Sequence, residues 1–130
     1  MITGIGHDIA SLARIGRMLE SGIGERFMQR ILTGAERELA AACSGARLAE
    51  FVGGRFAAKE AVSKALGCGI GGRLGFADID IGRDPLGKPQ CRLSAQAWAR
   101  LGLSEAHTAI HLSITHEASL ASAFAVIERV

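Results

Sequence analysis

Asp8 is the first residue in the chain whose surroundings suggest chemistry. Residues Ile2–Ile9 alternate in character, which predicts a β-strand. Gly4 and Gly6 lie on the same predicted face as Asp8, so this face is expected to be open enough for a ligand to approach the carboxylate. A carboxylate in such a place could bind a hard cation such as Mg²⁺. The alternative is a strand-end aspartate that caps the helix expected after Ser11.

The motif FAAKEAVSKALG places a carboxylate and an ammonium group on one side of a predicted helix. At about 100° per residue, four residues share a narrow face: Glu60, Ser63, Lys64 and Gly67. Glu60 and Lys64, four residues apart, could hold a metal ion and a phosphate side by side. The alternative is an ordinary helix-stabilising ion pair between them, which contributes about 0.2–0.5 kcal/mol.

One histidine could reach a ligand, and two further basic residues lie on the helix that carries Glu60. The motif IHLSITH predicts a strand that ends at His116, and side chains at strand ends can reach ligands. A purely structural histidine is the alternative. His111 is predicted to face the other side of this strand, so the two histidines are not expected to bind one metal ion. Arg55 and Lys59, four residues apart on the helix that carries Glu60, are expected to be solvated.

Local signals predict the elements that position these residues. Ser11 is a good N-cap, Thr33 and Glu36 form a capping box, and Gly67 is expected to end the long helix, which Gly53–Gly54 should weaken or bend. The predicted helices cover residues 12–19, 25–31, 34–43, 47–66 and 95–101, and the predicted strands residues 2–9, 77–81, 90–93, 109–115 and 120–128. Because the strands come mostly as hairpins, we predict an α+β fold with an antiparallel sheet and packed helices.

The composition limits the classes of function. With 130 residues and a mass of 13.6 kDa, we expect a single domain over residues 1–130. The net charge of +2 is too small to indicate DNA binding, and 5% aromatic residues provide few platforms for stacking nucleic-acid bases. No apolar run approaches a membrane span. The three cysteines form no paired motif, so we expect reduced thiols in a cytoplasmic protein.

Several motifs occur in an order that is far more specific than any of them alone. They are GIGHDIA, FMQRILT, GRFAAKEAVSKALG, D-x-x-GKP, HLSITHE and AFAVIE. In this order, they closely resemble the holo-acyl-carrier-protein synthases, the small bacterial 4′-phosphopantetheinyl transferases. The resemblance extends from Ile2 to Glu128, and it implies the α+β fold of that family.

The resemblance implies an enzyme that moves 4′-phosphopantetheine from coenzyme A to a serine of apo-acyl carrier protein. Adenosine 3′,5′-bisphosphate would be released, Mg²⁺ would be required, and the pathway would be fatty acid biosynthesis. By this resemblance Asp8 and Glu60 hold Mg²⁺, and Lys64 touches the same phosphates. Either Glu60 or a metal-bound water is the base that deprotonates the serine.

Other residues correspond by resemblance to the nucleotide-binding part of the family's site. His116 corresponds to the histidine near the 3′-phosphate, and Lys88 to a lysine of the adenine-side pocket. Arg55 is expected to add to phosphate binding, and Gly67 shares the face of Lys64.

The family is a homotrimer with sites between protomers, so the HLSITHE segment would come partly from a neighbouring chain. Acyl carrier proteins are acidic, so the docking surface should be basic with some apolar contact. The predicted first helix and the residues after it supply Arg14, Arg17, Met18 and Arg26, which otherwise form a solvated face. Two other functions stay open: another Mg²⁺-dependent phosphate-transfer enzyme, and a non-catalytic module that binds coenzyme A or the carrier protein.

Overall fold

Helices and antiparallel strands build the protein, as predicted. The computed structural model describes residues 1–130. Its elements are β1 (Ile2–Ser11), α1 (Leu12–Glu20), α2 (Gly24–Ile31), α3 (Gly34–Ala40), α4 (Gly45–Ala65), β2 (Ile79–Arg83), β3 (Pro89–Leu93), α5 (Ala95–Leu101), β4 (Thr108–His116) and β5 (Leu120–Arg129). One sheet has the order β1-β5-β4, β2 and β3 form a separate hairpin, and every pair is antiparallel. The predicted α+β class is therefore confirmed.

The glycine face of β1 packs directly against α4. A Cβ atom on Gly4 would overlap the backbone oxygen of Ala65, and one on Gly6 would overlap that of Ala61. The prediction that these glycines leave an open face for a ligand is therefore wrong, because the close neighbour is a helix backbone. The same packing brings Asp8, further along the strand, against the C-terminal half of α4.

Helix α4 is the centre of the molecule and contacts both β1 and β5. It runs without interruption through Gly53–Gly54, where a weakening or a bend was expected. A Cβ atom on Gly53 would lie 2.6 Å from Cδ2 of Leu12, and one on Gly54 would lie 3.4 Å from Cγ2 of Ile114. These glycines therefore let α1 and β4 approach the helix closely. No helix of the protein is long and apolar enough to cross a membrane.

The opposite side of α4 holds a buried ion pair. Lys59 is fully buried, and its Nζ donates to Oε1 of Glu36 at 2.6 Å and to the carbonyl oxygens of Ile31 and Phe76. Burial lowers the pKa of Lys59, and the charge of Glu36 opposes that effect. Arg55 is only 3% exposed. The prediction that Arg55 and Lys59 are solvated is therefore wrong, because α4 packs on both sides.

The local capping signals are confirmed. The Ser11 side chain accepts a hydrogen bond from the backbone N–H of Arg14. Thr33 and Glu36 form the complete capping box of α3. Gly67 follows the end of α4 with a φ of +80°, a conformation that glycine adopts without strain.

Candidate active site

Asp8 and Lys64 meet where β1 crosses the C-terminal half of α4. Lys64 Nζ donates to Oδ1 of Asp8 at 2.9 Å and to the carbonyl oxygen of His7 at 3.2 Å. The lysine side chain is half exposed and the aspartate largely buried. Its hydrogen bond to Asp8 raises the pKa of Lys64. Lys64 therefore pairs with Asp8 on the neighbouring strand, and not with Glu60 as the alternative of an ion pair within the helix would require.

Glu60 completes a cluster of two carboxylates and one ammonium group. Burial raises the pKa of the Glu60 carboxyl, the charge of Asp8 raises it further, and Lys64 lowers it. Burial and the charge of Asp8 thus disfavour the ionised form of Glu60, and a bound cation would relieve that cost. Gly67 is exposed at the end of the helix, with its N–H donating to the Lys64 carbonyl oxygen.

Two carboxylates, those of Asp8 and Glu60, are the donors that this cluster offers to a divalent cation. No group of three or more histidine, cysteine, aspartate or glutamate side chains lies close enough to hold a metal ion. Asp8 and Glu60 supply two hard oxygen ligands, and Mg²⁺ commonly binds through one or two carboxylates with substrate phosphates and water as its other ligands. The pair therefore fits Mg²⁺ that arrives with a phosphate substrate, and does not fit a cation held by the protein alone.

His116 belongs to a second, cationic region at the N-terminal half of α4. Its Nδ1 lies 2.9 Å from Oε2 of Glu50. A groove of about 520 Å³ runs beside this pair, lined by His116, Glu50 and three arginines: Arg47, Arg55 and Arg83. Arg47 and Arg83 were not among the residues predicted from the sequence to bind substrate. Arg47 precedes Arg55 by eight residues, about two helical turns, and that spacing could have revealed it. No feature of the sequence predicts that Arg83, on β2, lies in the same groove as Arg47 and Arg55.

The predicted ligands of the substrate are not all together in one chain. Glu50, which contacts His116, precedes Glu60 by ten residues, which corresponds to about 15 Å along α4. Lys88 is exposed beside the β2–β3 turn and lines another groove, with Arg92 and Ile110. The carboxylate cluster, the His116 groove and Lys88 therefore form three separate regions of the chain.

The predicted carrier-protein surface is divided by the helical geometry of α1. Arg14 and Met18 line one groove of about 420 Å³, whose other walls are mainly apolar and include Ile9 and Phe27. Arg17 lines a different groove, because it lies about 100° around the helix from Met18. Arg26 is exposed on α2 and lines neither groove.

One face of the three-stranded sheet is apolar and exposed. Ile5 and Ile9 on β1 are 67% and 54% exposed, and Phe124 on β5 is 49% exposed. The His7 ring stacks on Phe124 with centroids 4.1 Å apart. An apolar strip of this kind is typical of a surface that contacts another protein.

Comparison with known proteins places these features in a family. The family described as the 4′-phosphopantetheinyl transferase superfamily matches residues 4–125. A holo-[acyl-carrier-protein] synthase of Bacillus cereus (strain AH187) is 44% identical over 128 residues, which covers 98% of this chain and 97% of that protein.

Solved structures give the same result. A crystal structure of a holo-(acyl-carrier-protein) synthase from Bacillus anthracis str. Ames, in complex with CoA (3′,5′-ADP), has a TM-score of 0.85 and 45% identity, and the match covers 100% of this chain and 99% of that one. The holo-[acyl-carrier-protein] synthase from Neisseria meningitidis has a TM-score of 0.86 and 38% identity, with coverage of 99% and 100%.

Proposed function

The chain belongs to the holo-acyl-carrier-protein synthases of the 4′-phosphopantetheinyl transferase superfamily, and from that premise we propose its reaction in detail. The enzyme transfers 4′-phosphopantetheine from coenzyme A to a serine hydroxyl of apo-acyl carrier protein and releases adenosine 3′,5′-bisphosphate. The reaction requires Mg²⁺ and serves fatty acid biosynthesis in the cytoplasm. The ion pair between Asp8 and Lys64, where β1 crosses α4 one turn beyond Glu60, is the observation that supports this proposal.

The residues of this cluster have complementary roles. Asp8 and Glu60 would hold Mg²⁺, which when bound neutralises negative charge on the pyrophosphate of coenzyme A. Lys64, oriented by its ion pair with Asp8, binds oxygens of the same phosphates. Glu60 is the carboxylate that can accept the proton of the attacking serine. Gly67 leaves the approach beyond Lys64 free of a side chain.

We also propose that the complete site lies between protomers of a homotrimer. Within one chain, Glu50 beside His116 and Glu60 lie about 15 Å apart along α4, so one protomer does not surround the whole nucleotide. A neighbouring chain that packs on the exposed face of Ile5, Ile9 and Phe124 would supply the missing part. In this assembly His116 and Arg55 bind the 3′-phosphate, and Lys88 lies on the adenine side.

The carrier protein docks beside the carboxylate cluster in the same proposal. Arg14 lines a mainly apolar groove that includes Met18 and Ile9, the residue that follows Asp8 on β1. A basic residue beside apolar walls suits an acidic partner that also buries apolar side chains. Arg17 and Arg26 would act at longer range, as part of the positive field around the groove.

The proposal is tested by the mass of apo-acyl carrier protein after incubation with coenzyme A, Mg²⁺ and this enzyme. We expect the carrier to gain the mass of phosphopantetheine, and Glu60→Gln or omission of Mg²⁺ to prevent the gain. The matched control is Glu38→Gln, which removes the same charge from an exposed position on α3. Cleavage of coenzyme A without modification of the carrier would instead indicate another phosphate-transfer enzyme. Binding without any reaction would indicate a non-catalytic module.

A further inference from the structure

The groove at the N-terminal half of α4 contains a cation without a full set of partners. Arg55 is 3% exposed, and its guanidinium carbon lies 4.0 Å from the centre of the Phe51 ring. Its Nη2 donates to the carbonyl oxygen of Ile81 at 3.4 Å, but the buried Nε–H has no hydrogen-bond partner. A buried donor without a partner costs stability, so the fold holds this guanidinium in the wall of the groove although its own partners are incomplete. Together with Arg47 and Arg83, this guanidinium marks the groove as a site for an anion.

Cys43 lies in the wall of the same groove. It is partly exposed, and the only hydrogen bond of its Sγ is a weak one to the carbonyl oxygen of Leu39 at 3.9 Å. The other two cysteines are placed differently. Burial raises the pKa of the Cys91 thiol to about 12, which keeps it protonated. Cys68 lies beyond the far end of α4, outside the groove. An anion drawn to the arginines therefore meets one thiol, that of Cys43.

We propose that Cys43 is a modification site for small anionic disulfides, and that the adduct occupies the groove and excludes the nucleotide. The Cys43 thiol loses its proton to solvent, and the thiolate attacks one sulfur of the disulfide. The disulfide bond breaks as the new bond forms, and the second half leaves with the electron pair as a thiolate, which then takes up a proton. Cys43 is thereby oxidised and the released half is reduced.

Electrostatic attraction gives this site its selectivity. A positively charged cleft raises the local concentration of anions and speeds their association by tenfold or more, whereas cations are repelled. Once attached, the carboxylates of the adduct can accept hydrogen bonds from the arginines. The exclusion of the nucleotide rests on the proposed function, whereas the exchange itself does not.

The experiment compares two disulfides of opposite charge on the whole protein. Glutathione disulfide is anionic and cystamine is cationic at neutral pH, and intact-mass measurement with peptide mapping follows each adduct. We expect glutathione disulfide to modify Cys43 about tenfold faster than cystamine does at low salt. This ratio of rates should decrease above about 0.1 M salt, where charges are screened. Cys43→Ser should remove the adduct, and Arg83→Gln should slow it. Arg129→Gln is the matched control. Ala121 on β5 pairs with His116 of the groove, and Arg129 lies eight residues further along the same strand, far from the groove.

Each remaining outcome decides a separate point. Equal rates for the two disulfides, or an adduct that forms first on Cys68, would overturn the modification site. Adenosine 3′,5′-bisphosphate should protect Cys43 from glutathione disulfide. Charge-selective exchange without such protection would support the modification site and contradict both nucleotide exclusion and the proposed placement of the nucleotide in this groove.

Discussion

Glu60 is the residue at which the demands of function and of folding oppose each other. Burial and the charge of Asp8 both disfavour its ionised form, and attraction to Lys64 offsets only part of this. Because the pKa of Glu60 is raised in the folded protein, the folded chain binds its proton more tightly than the unfolded chain. The stability that this proton contributes is present below the ordinary pKa and is lost as the pH rises through the folded one.

Glu60→Gln is therefore expected to raise the melting temperature of the metal-free protein at pH 7. Glutamine keeps the shape of the protonated acid and removes the repulsion from Asp8. The gain should disappear near pH 4, where Glu60 itself is largely protonated. Thermal unfolding monitored by circular dichroism with a chelator present measures both differences, and a lower melting temperature for the variant at pH 7 would contradict the assigned environment of Glu60.

His116 provides a second prediction at the level of a single side chain. If it binds the 3′-phosphate, His116→Ala should raise the KM for coenzyme A about tenfold or more, which corresponds to about 1.4 kcal/mol. The KM for dephospho-coenzyme A should change much less, because that substrate lacks the phosphate. His107→Ala, an exposed histidine outside both grooves, is the control. Equal effects of His116→Ala on the two substrates would assign the histidine a structural role.

At the scale of elements, α1 separates two arginines that the sequence grouped together. Arg14 shares a mainly apolar groove with Met18, whereas Arg17 faces another surface. We expect Arg14→Glu to raise the KM for the carrier protein about tenfold and Arg17→Glu to raise it less, although both variants change the charge equally. Steady-state saturation curves for each substrate measure this. An equal rise for both variants would show that only the overall field matters, and a rise in the KM for coenzyme A would exclude a docking role.

Elements set by local signals could be predicted from the sequence, but their contacts could not. The caps at Ser11 and Thr33 act within three residues, and the structure confirms both. The burial of Lys59 depends on Glu36, which is 23 residues away. Lys64, on the same helix, is half exposed, so only tertiary packing distinguishes these two lysines. The family motif identifies the site residues, but it does not predict the distances between their side chains.

At the scale of the whole molecule, the exposed face of β1 and β5 predicts the assembly. Phe124→Glu should place a charge in the proposed interface, convert the proposed trimer to monomers in light scattering, and abolish transfer because the site becomes incomplete. Leu86→Glu is the control, since Leu86 is 94% exposed in the β2–β3 turn. Circular dichroism establishes that both variants are folded. A trimeric Phe124→Glu variant, or an active monomer, would contradict the proposed composite site.

The buried pair of Lys59 and Glu36 also determines how the protein opens. Besides Lys59 on α4, Glu36 accepts hydrogen bonds from the backbone N–H of Thr33 before α3 and of Ile81 on β2. If α3 detached alone, the buried Lys59 would lose its charged partner, at a cost of about 3–5 kcal/mol. If β2 detached alone, the buried Glu36 would lose the hydrogen bond from the Ile81 N–H, at a smaller cost. These segments should therefore exchange their amide hydrogens with deuterium together with α4, in one cooperative event, although they are far apart along the chain.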